Sequence, residues 1–505
     1  MGEFIEINTD QMEKPKVGSN LFSNRAAIAQ MQQLSNGAEV SIIVQAYNRL
    51  DKTKRCVESI LTYTFGIDYE LILIDNGSED DTLEYFQSVA HKKKTVIHIT
   101  QNLEALYPLF AFNLNKLSHF ICIIPNDLIV TAHWLENLLI CMKSDDRIGM
   151  VNSVCSNTSN LQCVEFSYAN YREMQRKATQ FNHSNPKKWE DRQRLITLGP
   201  LFRKEALMAI GWPMSDVGFF HDFGDDDVTF RIRRMGYRTV LAGDTWVCHD
   251  HKLRQGEGKD PAEFQKSLEI GRANFKEKFF GVDAWDDVNN YYIPYLSHFP
   301  KPNVTGRPQI LGVDTRCGTP VLDIKNWLRL FEHFNAAISA FTQDPKYWMD
   351  LKTICTGPVI CDREEFLLDS FPRENFDYVV ADRPLNQYHE PQKLMNDLFA
   401  LCKKGGTVVC KLNNTFSFQS YLNQLGQRDV YNPEFAYHIP LEAVKASLDK
   451  LGDVKKIIPI SFGLDAEQQK LLDALLPAEL AKSQRKEAVD RMTAKEYLLI
   501  VEKKS

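Results

Sequence analysis

The chain has 505 residues, a formal net charge of −6, 44% hydrophobic residues and 25% charged residues. This length predicts two or three domains, and the composition is ordinary for a soluble globular protein. The slightly acidic charge excludes a broad basic surface for nucleic acid or anionic lipid.

Eleven cysteines are scattered along the chain without a Cys-x-x-Cys pair. This spacing is typical of reduced thiols in a cytosolic protein rather than of a disulfide framework or a zinc site. Residues 1–38 are polar, contain no apolar signal segment and predict an N-terminal extension packed on the first domain, with weak helical character at 25–34. No apolar run approaches 18 residues, so we expect a cytoplasmic protein with at most peripheral membrane contact.

From residue 39 the pattern alternates between buried strands and helices. Predicted strands cover 40–44, 70–74, 95–99 and 119–124, and residues 52–63 have helical spacing. This alternation predicts an α/β domain with a mostly parallel sheet and helices on both faces. Ligands of such sheets bind at the carboxyl ends of the strands.

Polar motifs follow the predicted strands. Residues 45–49 read Gln-Ala-Tyr-Asn-Arg, residues 75–82 read Asp-Asn-Gly-Ser-Glu-Asp-Asp-Thr, and residues 125–127 read Pro-Asn-Asp. Further along, residues 224–231 read Gly-Asp-Asp-Asp-Val-Thr-Phe-Arg, with Gly-Tyr five residues later and a histidine at 249. Crowded carboxylates repel one another and persist where a cation or a proton-transfer role compensates.

These four motifs, in this order, resemble the inverting family 2 glycosyltransferases of the GT-A fold. The resemblance implies a nucleotide-sugar site, with UDP as the nucleotide on family grounds. It places Tyr47 and Gln45 in the nucleotide pocket with Tyr47 near the base, Asp75 as acceptor of a base amide, and Asn48 or Arg49 near the phosphates.

The same resemblance implies a site for Mn²⁺ or Mg²⁺. Asp127 matches the direct metal ligand of the family, Asn126 lies beside it, and Pro125 replaces the first carboxylate of the motif. His249 matches a further ligand, with His251 as the alternative. Oxygen ligands from diphosphate and water can complete the shell of a hard cation.

On the acceptor side, the family alignment makes Asp225 the candidate general base, and Asp226 remains the alternative because glycine replaces the preceding glutamate. A base that activates a hydroxyl for in-line attack inverts the anomeric centre. Asp227 and Arg231 are expected to orient the helix, with Asp227 capping it. Trp212 either stacks on a sugar or packs in the core.

A second alternation begins at 309, after a linker predicted at 299–303. Residues 310–320, 375–382 and 404–411 resemble the strands and cofactor loop of an S-adenosylmethionine-dependent methyltransferase. Arg316 and Pro320 replace loop glycines, which would crowd the cofactor. Residues 352–356, taken as the end of the second strand, offer no acidic residue for a ribose. We therefore expect a non-catalytic domain that helps to bind the acceptor or mediates oligomerisation.

The sequence thus predicts an extension at 1–38, a GT-A domain at 39–300 and a methyltransferase-like domain at 305–505. The predicted activity is transfer of a sugar from a nucleotide-sugar donor to a hydroxyl of a glycan or protein. Two alternatives stay open: a bifunctional glycosyltransferase and methyltransferase, and a non-enzymatic scaffold that binds carbohydrate or a partner.

Overall fold

The computed structural model describes residues 2–9, 37–103, 117–212, 214, 216, 219, 222–250, 261–425, 437–477 and 479–504. The helical segment predicted at 25–34 and the alternative ligand His251 lie outside the described residues. The chain divides into two compact units, Met1–Asn289 and Asn290–Ser505. None of the helices in these described ranges has the length and hydropathy that a membrane span requires.

The boundary between the units falls after Asn289, ahead of the predicted linker. Tyr292 is fully buried, and its backbone N–H donates to Asp323 Oδ2 at 2.6 Å. Leu296 and Phe299 belong to a core cluster of the second unit. The segment before the linker therefore belongs to the second compact unit, which begins at Asn290, whereas the sequence predicts a domain from 305.

The first unit contains a sheet with ten strands among the described residues. The strands are β1 Glu3–Ile7, β2 Val40–Ala46, β3 Tyr69–Asn76, β4 Lys94–Ile99, β5 Phe120–Pro125, β6 Leu128–Ile129, β7 Ile148–Cys155, β8 Trp189–Asp191, β9 Leu201–Arg203 and β10 Arg238–His249. Its order is β1-β4-β3-β2-β5-β9-β7-β10-β6, and β8 pairs with β10. The adjacent strands β1, β4, β3, β2 and β5 all run parallel to one another. Strand β9 is antiparallel to β5 and to β7.

Strand β1 is the part of the N-terminal extension that the sequence did not predict as regular structure. It pairs in parallel with β4, from Glu3 opposite Thr95 to Ile7 opposite Ile99. Its side chains are mostly exposed, so its short apolar alternation resembles a loop until a partner strand is known.

The helices of the first unit are α1 Leu50–Tyr63, α2 Thr82–Ser88, α3 Trp134–Lys143, α4 Tyr171–Phe181, α5 Lys204–Ile210, α6 Gly224–Arg234 and α7 Pro261–Lys278. Two core clusters lie on the two faces of the sheet. Ile43 and Ile72 belong to one cluster, whereas their sequence neighbours Ile42 and Leu71 belong to the other. Because successive strand residues point to opposite faces, this division confirms a sheet buried on both sides.

The second unit contains a seven-stranded sheet in its described residues. The strands are β11 Gln309–Val313, β12 Ala337–Thr342, β13 Val359–Cys361, β14 Phe376–Ala381, β15 Cys402–Asn413, β16 Gly452–Ser461 and β17 Ala494–Lys503. The order is β13-β12-β11-β14-β15-β17-β16, with β17 antiparallel to β15 and β16. The helices are α8 Thr319–Arg329, α9 Trp348–Ile354, α10 Pro391–Leu401, α11 Phe418–Leu425, α12 Leu441–Leu451, α13 Ala466–Leu475 and α14 Lys482–Thr493. Both predicted α/β folds are confirmed.

Candidate active site

A cleft of about 370 Å³ opens at the carboxyl ends of β2, β3 and β5 in the first unit. Parallel strands bring their carboxyl ends to one edge, so the motifs that follow them in sequence meet there. The lining includes four predicted site residues, which are Gln45, Tyr47, Arg49 and Asn126. It also includes polar residues that the sequence did not single out for this role, namely Asn76, Asn102 and Thr197.

The turn after β2 is held in an unusual backbone conformation. Asn48 and Arg49 both have positive φ, at 53° and 61°. The Asn126 side-chain amide donates to the Asn48 carbonyl at 3.1 Å and to Thr53 Oγ1 at 2.9 Å, and Asn48 Oδ1 accepts from the Glu79 N–H at 2.8 Å. Non-glycine residues in this region cost of order 1–3 kcal/mol each and cluster at ligand sites. The turn directs Arg49 into the cleft at the start of α1.

Asp75 is fully buried and is not among the described residues that line the cleft. Its Oδ2 lies 2.7 Å from His98 Nδ1, and its Oδ1 accepts from the Ser78 N–H at 3.1 Å. The next residue, Asn76, faces the cleft and donates to Asn102 Oδ1 at 2.9 Å. Since strand side chains alternate between faces, the neighbour of Asp75 supplies the polar group at this end of the cleft.

Gly77 allows the turn after β3 to approach the segment that carries Asn102. Its φ is 75°, and a Cβ on it would lie 2.6 Å from backbone atoms of both Gln101 and Asn102. Any side chain here would push that segment away. The glycine of the Asp-Asn-Gly-Ser motif thus serves a close backbone contact that shapes the cleft wall.

Asp127 and His249, the two predicted metal ligands, face each other with 3.7 Å between Asp127 Oδ1 and His249 Nε2. His249 Nδ1 lies 3.1 Å from the Asn157 carbonyl oxygen, which can only accept, so Nδ1 carries the proton. Nε2 is therefore the ring nitrogen that faces Asp127. A backbone bond of 2.8 Å from the Asp250 N–H to the Asp127 carbonyl joins the two segments.

This pair fits a divalent cation that also takes ligands from elsewhere. Bonds of about 2.0–2.2 Å from metal to oxygen and nitrogen allow two ligand atoms to lie about 3–4 Å apart. Among the described residues there is no group of three or more His, Cys, Asp or Glu that could hold a metal ion. The protein supplies one carboxylate and one imidazole here, with Pro125 at the position of a second carboxylate.

Helix α6 begins at Gly224 and carries all three adjacent carboxylates in its first turn. Asp225 accepts a hydrogen bond from the Thr197 hydroxyl, and Thr197 lines the cleft. Burial, with a further contribution from the neighbouring Asp226 carboxylate, raises the pKa of Asp225 to about 6. A carboxyl group with this pKa is ionised near neutral pH and is still basic enough to accept a proton.

Asp226 has a different environment from its neighbour. Its side chain is buried and forms an ion pair with Arg194, including a bond of 3.3 Å from Nη2 to Oδ2. Arg194 also donates to Asn289 Oδ1 at 3.3 Å. Burial raises the pKa of Asp226, and the Arg194 guanidinium opposes that shift. Both carboxylate oxygens are occupied by bonds from this guanidinium, so Asp226 is less accessible to a substrate than Asp225.

Asp227 does not cap the helix, which corrects the prediction. The N-cap is Phe223, whose side chain cannot accept a hydrogen bond, and Asp227 is the fourth residue of the helix, within its first turn. Its carboxylate instead pairs with Arg231 at 2.7 Å and with Lys278 of α7. The orienting role expected for Asp227 and Arg231 thus runs through an ion-pair network.

Trp212, the last of the residues predicted to bind the nucleotide-sugar, is half-buried and packs against a core cluster of the first unit. It follows Gly211, whose φ of 87° ends helix α5. It is not among the described residues that line the cleft. Stacking on a sugar stays a prediction for this residue.

The second unit has an acidic residue that the sequence reading overlooked. Residues 352–356 do not end the second strand; that strand is β12, which ends at Thr342 and is followed by Asp344. The stretch at 337–342 is only six residues long, and its apolar pattern alone does not identify it as a strand. Pro320 lies in the first turn of α8, where its fixed φ is compatible with a helix. Arg316 has a φ of 54°, a conformation that favours glycine.

Residues 41–191 match the model of the family described as Glycosyl transferase family 2. This range contains β2, β3 and β5 with their polar strand ends and Asp127, and it ends before Asp225 and His249. No curated protein matches the chain.

Three solved structures align with parts of the chain. One is GalNAc-T7 with UDP, GalNAc and Mn²⁺, at 12% identity over 46% of this chain and 48% of that chain, with a TM-score of 0.35. Another is the mannosyltransferase PcManGT from Pyrobaculum calidifontis in complex with GDP-Man and Mn²⁺, at 17% identity over 48% and 71%, with a TM-score of 0.33. A methyltransferase from Archaeoglobus fulgidus described as SAM-dependent aligns at 18% identity over 46% and 99%, with a TM-score of 0.29. The chain spans 48% of the length of GalNAc-T7 in this alignment.

Proposed function

We propose, from the premise that residues 41–191 belong to glycosyl transferase family 2, that this chain transfers a sugar from a nucleotide-sugar donor to a hydroxyl acceptor. The observation that carries the proposal is that two pairs of chemically suited side chains lie beside one cleft. Asn126, which lines it, adjoins the Asp127–His249 pair, and Thr197, which also lines it, bonds the Asp225 carboxylate. The Asp127–His249 pair suits a cation that neutralises a departing diphosphate, and the Thr197–Asp225 pair suits an incoming hydroxyl.

The donor would lie across the carboxyl edge of β2 and β3. Tyr47 is 41% exposed at the cleft and offers a ring face to a nucleobase. Arg49, which lines the cleft at the start of α1, offers positive charge to phosphates. Asn76 and Asn102 offer amide groups at the base end, in place of the Asp75 carboxylate. We propose a UDP-linked donor on the strength of the family resemblance.

Mn²⁺ or Mg²⁺ would be held by Asp127 and His249. When bound, such an ion offsets the charge that develops on the leaving diphosphate. The imidazole favours Mn²⁺ somewhat over Mg²⁺, because nitrogen ligands suit the softer ion. The Asn157 carbonyl fixes the His249 tautomer, so the ring would not have to reorient when a metal binds.

Asp225 would accept the proton of the acceptor hydroxyl as that oxygen attacks the anomeric carbon. The new bond forms from the acceptor oxygen to the anomeric carbon while the bond to the diphosphate oxygen breaks. Attack from the face opposite the diphosphate inverts the anomeric configuration. Asp226 is excluded from this role in the proposal because Arg194 already compensates its charge. The acceptor is a hydroxyl of a glycan or a protein.

The test is release of nucleoside diphosphate from a panel of UDP-, GDP- and dTDP-sugars, with and without Mn²⁺, preceded by thermal shifts with the nucleotides alone. A nucleotide at a hundred times its Kd should add about 2.7 kcal/mol to the stability of the unit that binds it. We expect one nucleotide class to bind with Mn²⁺ dependence and its sugar to be transferred with inversion, as read by NMR of the product. Absence of binding and turnover with every donor would favour the scaffold alternative.

A second candidate function concerns the second unit, where Asp344 follows β12. A carboxylate at the end of the second strand of such a sheet is suited to binding ribose hydroxyls. Asp314, at the end of β11, is buried and accepts from the Gln343 backbone and side chain at 2.8 and 2.9 Å, so this edge is ordered. Titration with S-adenosylhomocysteine, compared between the wild type and Asp344→Ala, distinguishes a cofactor-binding unit from the non-catalytic one that we expect.

A further inference from the structure

The segment between β8 and β9 supplies a partner to each of the two adjacent carboxylates of α6. Arg194 pairs with Asp226, and three residues later Thr197 donates its hydroxyl to Asp225. One short segment therefore reaches both carboxylates, with a charged group for one and an uncharged group for the other.

The two partners give the carboxylates different protonation chemistry. A guanidinium remains charged at all accessible pH values, so Arg194 stays paired with Asp226 and opposes the effect of burial, which raises the pKa of that carboxyl. A hydroxyl carries no charge, so Thr197 orients Asp225 without fixing its charge state. The two carboxylates also interact, since Asp226 contributes to the raised pKa of Asp225, and interacting carboxylates titrate as a pair. Arg194 and Thr197 make their two environments different.

The backbone that carries Thr197 is firmly held. The Ile196 carbonyl accepts from Asn152 Nδ2 at 2.9 Å and from Gln162 Nε2 at 3.2 Å, and the Ile196 N–H donates to Gln162 Oε1 at 2.7 Å. Asn152 and Gln162 are both fully buried. On the other side, Thr229 of α6 donates to the Asp225 carbonyl at 2.7 Å. Both ends of the Thr197–Asp225 contact are thus fixed to the core.

We propose that Thr197 is a positioning residue that fixes the Asp225 carboxylate at the wall of the cleft, while Arg194 withholds Asp226 from proton transfer. This inference rests on the proposed function, because it assigns Thr197 a role in the same reaction. The segment at 194–197 then determines which of the two aspartates acts as the base. Neither of its two polar residues belongs to the sequence motif around residue 225.

Removal of the Thr197 hydroxyl has a defined electrostatic consequence. A hydrogen bond donated to a carboxylate stabilises its ionised form, and here it opposes the effects of burial and of Asp226 on the pKa of Asp225. Without the Thr197 hydrogen bond, the Asp225 carboxylate should bind its proton more tightly. The carboxylate would also lose a contact that holds its rotamer toward the cleft, since Thr197 is the cleft-lining member of the pair.

The experiment compares Thr197→Val, which keeps the shape and removes the hydroxyl, with Thr197→Ser, which keeps the hydroxyl. For Thr197→Val we expect kcat to fall about tenfold or more and the acidic limb of the kcat/KM profile to move up by about one pH unit, with the donor KM unchanged. Thr197→Ser should keep the wild-type limb. Thr179→Val removes the hydroxyl that donates to the Gln175 carbonyl in α4 and should leave the profile unchanged.

A measurement without turnover separates this inference from the proposed function. The free energy of unfolding is measured against pH for each Thr197 variant and for the same variant carrying Asp225→Asn. The difference between the two curves reports the pKa of Asp225. An upward shift in Thr197→Val but not in Thr197→Ser supports the positioning role even if no donor is turned over. If Thr197→Val and the wild type give identical curves of unfolding free energy against pH, the positioning role of Thr197 is overturned, whatever the transfer assay gives. If Thr197→Val does not fold, Thr197→Ala replaces it in both measurements.

Discussion

His249 Nε2 and Asp127 Oδ1 lie 3.7 Å apart, although their residues are separated by 122 positions in the sequence. The turn after β5 carries the aspartate, and the end of β10 carries the histidine. Strand β6, which directly follows Asp127, pairs with the end of β10 with Leu128 opposite His249. This antiparallel pairing brings the two side chains together, so the proposed metal site would depend on the pairing of β6 with β10.

The first prediction concerns metal-dependent binding. Asp127→Ala should lower the affinity for the nucleoside diphosphate in the presence of Mn²⁺ by about 100-fold, about 2.8 kcal/mol, because it removes the only carboxylate of the pair. Isothermal titration with and without Mn²⁺ measures this. Asp250→Asn is the matched control, since that carboxylate pairs with Arg55 at the surface. Equal affinity of Asp127→Ala and the wild type in Mn²⁺ would exclude Asp127 as a ligand.

The second prediction concerns the base. Asp225→Asn should leave the Mn²⁺-dependent affinity for the nucleotide unchanged and reduce the transfer rate by about 10²- to 10⁴-fold, because an amide cannot accept the proton. Binding by titration and turnover by nucleotide release give the two halves of the result. Full turnover by Asp225→Asn would show that the base assignment is wrong.

The third prediction concerns pH. Burial and the Asp226 carboxylate raise the pKa of Asp225 to about 6, whereas an unfolded aspartate titrates near about 3.9. The folded state therefore binds this proton more tightly, and the stabilisation that it gives is complete below about pH 4 and lost as pH rises through about 6. The free energy of unfolding of the wild type, relative to Asp225→Asn, should fall across this window. Transfer needs the ionised form, so kcat/KM should rise over the same window and level off above it.

The sequence was sufficient for the fold and for locating the polar residues at the strand ends. Gln45, Tyr47 and Asn126 lie at or just after short apolar runs, and such runs, bounded by turn residues, indicate buried strands. Asp75 shows the limit of that reasoning. The motif defines the turn, but which of two adjacent residues faces the cleft depends on the register of the sheet, and the pattern was too uniformly buried to reveal it.

Arg194, Thr197 and Asn102 were beyond the reach of the sequence for a different reason. Arg194 and Thr197 lie in an irregular segment without a recognisable motif, and Asn102 follows the end of β4. They reach the site through contacts that are distant in sequence, such as the one between Thr197 and Asp225. Propensities and spacings describe local structure, and contacts of this kind arise from packing. The same limit leaves Asp225 and Asp226 undistinguished by the sequence, whereas their side-chain partners differ in the structure.

The fourth prediction separates a structural carboxylate from a catalytic one. The side chains of Asp226 and Arg194 are 3% and 9% exposed, so Asp226→Asn would leave a buried guanidinium without its counter-charge. Loss of one partner of such a pair costs about 3–5 kcal/mol. The calorimetric transition of the first unit should therefore move to lower temperature. Asp286→Asn, which removes an exposed partner of Arg272, should change stability by less than about 1 kcal/mol.

The double variant Arg194→Met with Asp226→Leu completes this test. It removes both charges, so most of the stability lost in Asp226→Asn should return, because well-packed apolar side chains can replace a buried ion pair at little cost. In the profile of kcat/KM against pH, the folded fraction of Asp226→Asn should keep an acidic limb near the pH at which Asp225 titrates. If Asp226→Asn instead melts at the wild-type temperature and transfers no sugar, then Asp226 is the base and its pairing with Arg194 opens during the reaction.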